Sequence, residues 1–219
     1  MKIVIQCAAR KRQHAGHLRN ERGESVLFVA EPQLAPRGHH VVYARPDDRA
    51  SEGQTWRQRL MEVNRSPQTN SYGLLSAVDL YENPAYRGLA AKFGHENLYI
   101  LSAGWGLIPA NFLTPAYDIT FSAGADPYKR RRTSSPYEDL CLLPTDSDES
   151  LLFLGGKDYL HLFDRLTARV RGKRIVLFNS AATPRIPGCD LLRFVTTTRT
   201  NWHYEAAQAL ISGSLQLPA

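Results

Sequence analysis

Leu98-Tyr99-Ile100-Leu101-Ser102-Ala103-Gly104-Trp105-Gly106-Leu107-Ile108-Pro109 is the stretch on which the reading of this 219-residue chain turns. Its first five residues form an apolar run that fits a strand covered on both faces, as in a parallel sheet. Gly104 and Gly106 flank Trp105, so the backbone is free to turn sharply while a large flat ring is presented at the strand's end. Pro109 and Pro115 stiffen the next segment and deliver Tyr117 and Asp118 side by side. A carboxylate beside aromatic rings, just past the carboxyl end of a central strand, is where open α/β sheets keep their chemistry. The same pattern equally suits a structural loop in which Asp118 caps the next segment.

Working outward, Lys2–Cys7, Leu151–Leu154 and Arg174–Phe178 repeat the short apolar pattern, with helical segments between the strands at Asn83–Phe93 and from Lys157 to about Val170. Asn83 reads as an N-cap with Pro84 at the first helical position. This alternation predicts an α/β three-layer sandwich around a central, mostly parallel sheet of about four strands. Leu191–Thr197 adds a strand at an edge, and a last helix runs from about Asn201 to Ile211. Ser25–Ala30 and His39–Ala44 read as an antiparallel β-ribbon, so residues 16–46 are expected to be an insertion on one edge of a single domain spanning 1–219. Ser51–Arg65 reads as a polar helix opened by a capping box of Ser51 and Gln54, and Tyr72–Leu80 as a further helical piece.

Lysine and arginine outnumber aspartate and glutamate by 27 to 21, and the pI is about 9.3. That balance favours a polyanionic partner. Cys7, Cys141 and Cys189 are widely spaced and form no CxxC pair, which argues against a disulfide framework, a zinc ribbon or an iron–sulfur cluster. His14/His17 and His39/His40 lack an acidic or cysteine partner, so no metal is expected. Gly155-Gly156 lacks the lysine and hydroxyl of a P-loop and reads as a tight turn between strand and helix, and no cofactor is expected. No apolar run reaches the roughly 20 residues that span a bilayer, and no signal-peptide pattern opens the sequence. The expectation is a soluble, cytoplasmic monomer.

Polar residues at strand ends supply the candidate site. Gln6 and Cys7 close the first strand, where they either face a ligand or are a buried amide and thiol. Asn179 and Ser180 close the fourth strand and open a loop of small residues that runs to Pro184 and Arg185. Arg10-Lys11-Arg12 and Lys129-Arg130-Arg131-Arg132 are cationic clusters that suit phosphate contacts, as does Arg185. A solvated surface explains a charge run equally well, and the place of the second cluster just downstream of the candidate site favours the phosphate reading.

Gln6-Cys7-Ala8-Ala9-Arg10-Lys11, Asp79-Leu80-Tyr81-Glu82-Asn83-Pro84-Ala85-Tyr86, Leu101 to Pro109 and Pro115-Ala116-Tyr117-Asp118 resemble, in that order, motifs of the uracil-DNA-glycosylase-like superfamily in its YaaA-like and archaeosine-transglycosylase-associated branch. The resemblance covers most of the first 125 residues and the Asn179 loop. It implies DNA binding and, in active members, cleavage of the bond between base and deoxyribose. Within the branch the chain is most similar to Brig-type anti-phage DNA glycosylases that act on glucosylated hydroxymethylcytosine in phage DNA. It departs from the standard uracil glycosylase pattern in lacking the Gly-Gln-Asp-Pro-Tyr-His segment and in having no histidine at the head of the Asn179 loop.

Hydrolysis of an N-glycosidic bond passes through an oxocarbenium-like sugar, which calls for negative charge near C1′ and donors for the departing base. Asp118 is the expected carboxylate and Asn179 the expected base reader, with Ser180 on the adjacent phosphate. Trp105 or Tyr117 would stack on the extruded base beside Gln6 and Cys7, and His203 or Tyr128 would be the general acid. Two other readings are a non-catalytic DNA-binding stress protein of the YaaA kind and a base-exchanging enzyme acting on RNA or nucleotides.

Overall fold

Ile3, Val4 and Ile5 have no solvent exposure at all, and a strand that is apolar at every position has two faces to cover. In the computed structural model, which describes residues 1–217 apart from 38–40, 52, 145 and 147, this strand lies at the centre of the main sheet. In chain order the elements are β1 (Lys2–Gln6), β2 (Ser25–Val29), β3 (Val41–Ala44), β4 (Arg49–Ser51), β5 (Gln54–Thr55), α1 (Trp56–Arg65), β6 (Leu75–Ser76), α2 (Ala77–Leu80), α3 (Ala85–Phe93) and β7 (Leu98–Ser102). They continue with β8 (Gly106–Pro109), β9 (Leu113–Thr114), β10 (Tyr117–Asp118), β11 (Leu140–Cys141), β12 (Leu151–Leu154), α4 (Leu160–Thr167), β13 (Arg174–Phe178), β14 (Cys189–Arg193) and α5 (Trp202–Ser212).

The main sheet has seven strands in the order β11-β8-β7-β1-β12-β13-β14, not about four. Every neighbouring pair is parallel except β7 and β8, which run antiparallel. The four apolar runs of the sequence are its middle, β7-β1-β12-β13, and β14 takes the edge as expected. Helices flank the sheet: Phe163 of α4 stacks on Phe153 of β12 at 4.6 Å, and Ile211 of α5 sits over Gly88 of α3.

The extra strand β8 arises inside the decisive stretch. Gly104-Trp105-Gly106 is not an open ligand loop but the reversal of a hairpin, with Ser102 opposite Gly106 and Tyr99 opposite Pro109. Gly106 has φ +92°, and a Cβ there would lie 2.3 Å from the carbonyl oxygen of Leu140. At Gly104 the nearest atoms to a Cβ would be the Ile119 and Tyr117 side chains at 3.2 Å, with no left-handed backbone. Gly106→Ala is therefore expected to lower stability by about 3 kcal/mol, and Gly104→Ala by no more than about 1 kcal/mol. Urea denaturation of the two variants checks the contrast.

The segment expected to be an antiparallel ribbon is parallel. β2 pairs with β3 in parallel register, Ser25 with Val41 through Phe28 with Ala44, and with β10 on its other side. A hairpin needs a tight turn, whereas the connection after β2 is the roughly dozen residues that a parallel return requires. His39 and His40 lie outside the described residues. Val26, Phe28 and Val29 are fully buried, so β2 packs into the core. The polar helix begins later than the sequence suggested: residues 49–55 contain the strands β4 and β5, and the capping box that opens α1 is made by Thr55 and Gln58. The piece read as a helix over Tyr72–Leu80 is the short strand β6 followed by the single turn α2. Asn83 does act at the start of α3, accepting from the Ala85 N–H at 2.9 Å.

Candidate functional site: a cleft at the strand ends

Three backbone carbonyls of the decisive stretch face inward and are taken up by two buried arginines. Arg57 donates to Gly104 and Trp105 at 3.1 and 3.0 Å and forms an ion pair with Asp47. Arg131 donates to Ala103 at 2.7 Å and makes a two-pronged contact with Asp139. Ser102 Oγ accepts from the Gly104 and Trp105 N–H groups and donates to the Tyr117 hydroxyl. Trp105 is fully buried, edge-on to Phe28 at 4.9 Å. Tyr117 is also buried, sharing its hydroxyl with Tyr81 at 2.8 Å. Neither ring is placed to stack on a base: Trp105, in the turn between β7 and β8, and Tyr117, on β10, are both buried in the core.

Asp118 lies on β10, where its carboxylate accepts from the Lys129 ammonium at 2.9 Å. It does not line the cleft at the ends of β1, β12 and β13. The hydrogen bond to Asp118 raises the Lys129 pKa, and Asp126 adds a second contact at 3.1 Å. Lys11 folds back over the Tyr117 ring at 4.1 Å and donates to the Ala8 and Ala9 carbonyls at 3.1 and 3.3 Å. Burial lowers its pKa, opposed by Cys7 and Asp118. The expected phosphate contacts therefore divide by partner. Lys11 and Arg131 are turned inward, Lys129 is paired, Arg12 is half-buried and Arg130 donates to Ala123. Arg10, Arg132 and Arg185 are exposed.

The cleft itself, about 580 Å³, opens at the carboxyl ends of β1, β12 and β13. Gln6, Cys7, Asn179 and Ser180 all line it, so the sequence reading of strand ends brought four residues to one place. Gln6 Oε1 accepts from the Gly156 N–H at 2.7 Å, which fixes the side-chain amide across the turn after β12. Asn179 Nδ2 donates to the Thr198 carbonyl at 3.2 Å, and the Ser180 hydroxyl donates to the Ala182 carbonyl at 2.6 Å. Deeper in, Cys7 Sγ lies 3.2 Å from the Tyr159 hydroxyl. Burial pushes the Tyr159 phenol well above its ordinary range, keeping it neutral.

The far wall comes from residues the sequence did not single out, Arg199, Thr200 and Asn201, together with the start of α5. Asn201 is the one described non-glycine residue with positive φ, at 60°. An asparagine before a helical pattern is a readable signal, though it points to a cap and not to a pocket. Lys157 and Asp158 stand on the turn between β12 and α4, and Asp158 is the only carboxylate among the described lining residues.

His203 also lines the cleft, with only 2% of its surface exposed. Burial lowers its pKa from 6.5 to about 4, so the ring is neutral near pH 7, which denies it the ready proton of a general acid. The sign follows from linkage: the unfolded chain takes up this proton first, so the stability that neutral His203 confers is complete above about pH 6.5 and is lost as pH falls towards about 4. The expected share is about 2.5 kcal/mol between pH 7.5 and 4.5. The difference in denaturation midpoints between those pH values should shrink accordingly in His203→Phe.

Comparison with protein-family models, with curated proteins and with solved structures returned no match for this chain. Among the described residues no helix is long and apolar enough to cross a membrane, and no group of three or more metal-ligating side chains is present.

Proposed function

We propose that the protein is a DNA glycosylase that extrudes a modified base into the strand-end cleft and hydrolyses its N-glycosidic bond, leaving an abasic site. The observation that carries this reading is the convergence of two oriented side-chain amides, Gln6 and Asn179, on one cleft at the carboxyl ends of β1 and β13. Amides offer the paired donor and acceptor that match a base edge, and a cleft of about 580 Å³ has room for a base carrying a bulky substituent. The sequence resemblance supplies the substrate class, glucosylated hydroxymethylcytosine in phage DNA, and with it a role in anti-phage defence in the cytoplasm as a monomer.

In the reaction a water oxygen bonds to C1′ as the C1′–N bond breaks. The base leaves with the electron pair and takes up a proton that the water gives up. Asp158, the carboxylate lining the cleft, stands against the positive charge that grows on the sugar. Cys7 and the neutral phenol of Tyr159 line the cleft beneath the base, and the exposed Arg10, Arg132 and Arg185 contribute backbone contacts that weaken with salt.

The test is to incubate the protein with phage DNAs carrying natural and modified bases, to detect abasic sites by alkaline cleavage and to identify the released base by mass spectrometry. Base release from modified DNA, reduced about 10²-fold in Asn179→Ala, is the expected result. DNA binding without release from any substrate would leave the non-catalytic reading. Release or exchange only with tRNA or nucleotides would move the activity to RNA.

A further inference from the structure

We propose that the N-terminus of α5, together with His203 and Arg199, forms a phosphate-binding subsite on the wall of the cleft. It deepens the glycosylase reading by saying where the nucleotide's phosphate is held, and it rests on that reading only for the identity of the nucleotide. α5 runs for 11 residues, Trp202–Ser212, and Asn201 before it is left-handed and supplies no side-chain cap. The partial positive charge of an uncapped helix start favours an anion, with backbone N–H groups to receive it.

Position alone would not make this a site. The independent observation is His203: it lines the same cleft, is 98% buried, and its Nε2 has no hydrogen-bond partner. A buried ring nitrogen left without a partner costs free energy, and a ligand oxygen satisfies it. Arg199, exposed on the rim next to Asn201, and Lys157 on the facing turn make no ion pair among the described residues. Two carboxylates stand nearby. Asp158 neighbours Lys157 on the facing turn, whereas Glu205, in the first turn of α5, accepts from the Thr196 and Thr198 hydroxyls. Backbone N–H groups, an imidazole N–H and a guanidinium approaching from different sides suit the several oxygens of a phosphate better than the planar pair of a carboxylate.

The experiment uses the full chain, with amide chemical shifts and calorimetry as readouts and deoxycytidine, deoxycytidine 5′-monophosphate and inorganic phosphate as probes. Both phosphate-bearing probes should shift the Trp202, His203 and Tyr204 amides, and the monophosphate should bind about tenfold more tightly than the nucleoside. Arg199→Ala, at an exposed position, should erase that preference while leaving nucleoside affinity unchanged. His203→Phe should do the same if it folds. A duplex with a neutral methylphosphonate beside the modified base tests the DNA backbone as the source, with binding weakened in the wild type and not in Arg199→Ala. Equal affinity for nucleoside and monophosphate, or shifts confined to Arg10 and Arg132, would overturn the subsite and leave the base pocket standing. Phosphate shifts at α5 with no nucleoside binding would support the subsite and count against the base pocket.

Discussion

Asp139→Asn is expected to lower the stability of the fold by about 3–5 kcal/mol, the range for breaking a buried ion pair by removing one partner. The Asp139 carboxylate is fully buried and accepts from Arg131 at 2.8 and 2.6 Å, with Arg165 of α4 as a further donor. Arg131 reaches on to the Ala103 carbonyl and stacks on Tyr137 at 3.8 Å. Losing the charge leaves a guanidinium that is 3% exposed without its counter-ion, at the place where β11 joins β8. Arg165 is half-exposed, so its share is screened by water. Thermal melting should fall by about 10 °C for a chain of this size. Replacing the pair together, Arg131→Met with Asp139→Leu, should recover most of the loss, because an apolar pair leaves no charge unpaired. Equal destabilisation by the single and double substitutions would show that the shape of the contact matters and its charge does not.

That clamp also marks where sequence reading reached its limit. β1, β7, β12 and β13 were legible because full burial on both faces leaves an apolar run. β8 was hidden behind Gly104-Trp105-Gly106, since two glycines around a large ring describe a hairpin reversal as well as a ligand loop. β10 and β11 are two residues long and carry no period at all. The partners within the cationic cluster are illegible for a related reason. Four successive charges do not say which one finds a carboxylate eight residues on, and Arg131 does so through a loop that no local pattern encodes. Gln6, Cys7, Asn179 and Ser180 come together on one cleft because strand ends share one rim of a parallel sheet. Asp158, Arg199 and Asn201 reach the same rim from a turn and a helix start, where sequence spacing gives no direction.

Asp158→Asn is expected to slow base release by about 10²–10⁴-fold in single-turnover assays while leaving DNA affinity unchanged or slightly tighter. The substitution keeps the shape of a side chain at the cleft lip and removes only its charge. An oxocarbenium-like sugar feels that charge in the transition state, whereas a polyanionic duplex in the ground state is repelled by it. The split between rate and affinity therefore separates a catalytic carboxylate from a residue that shapes the cleft, whose loss would weaken both together. Asp118→Asn provides the comparison. It releases Lys129 from a 2.9 Å ion pair, so binding should tighten modestly and weaken more steeply with salt, with base release slowed less than about tenfold. The opposite ranking, with Asp118→Asn inactive and Asp158→Asn near the wild-type rate, would place the sugar on the β10 side. Lys129 would then have to leave Asp118 for a phosphate before the bond breaks.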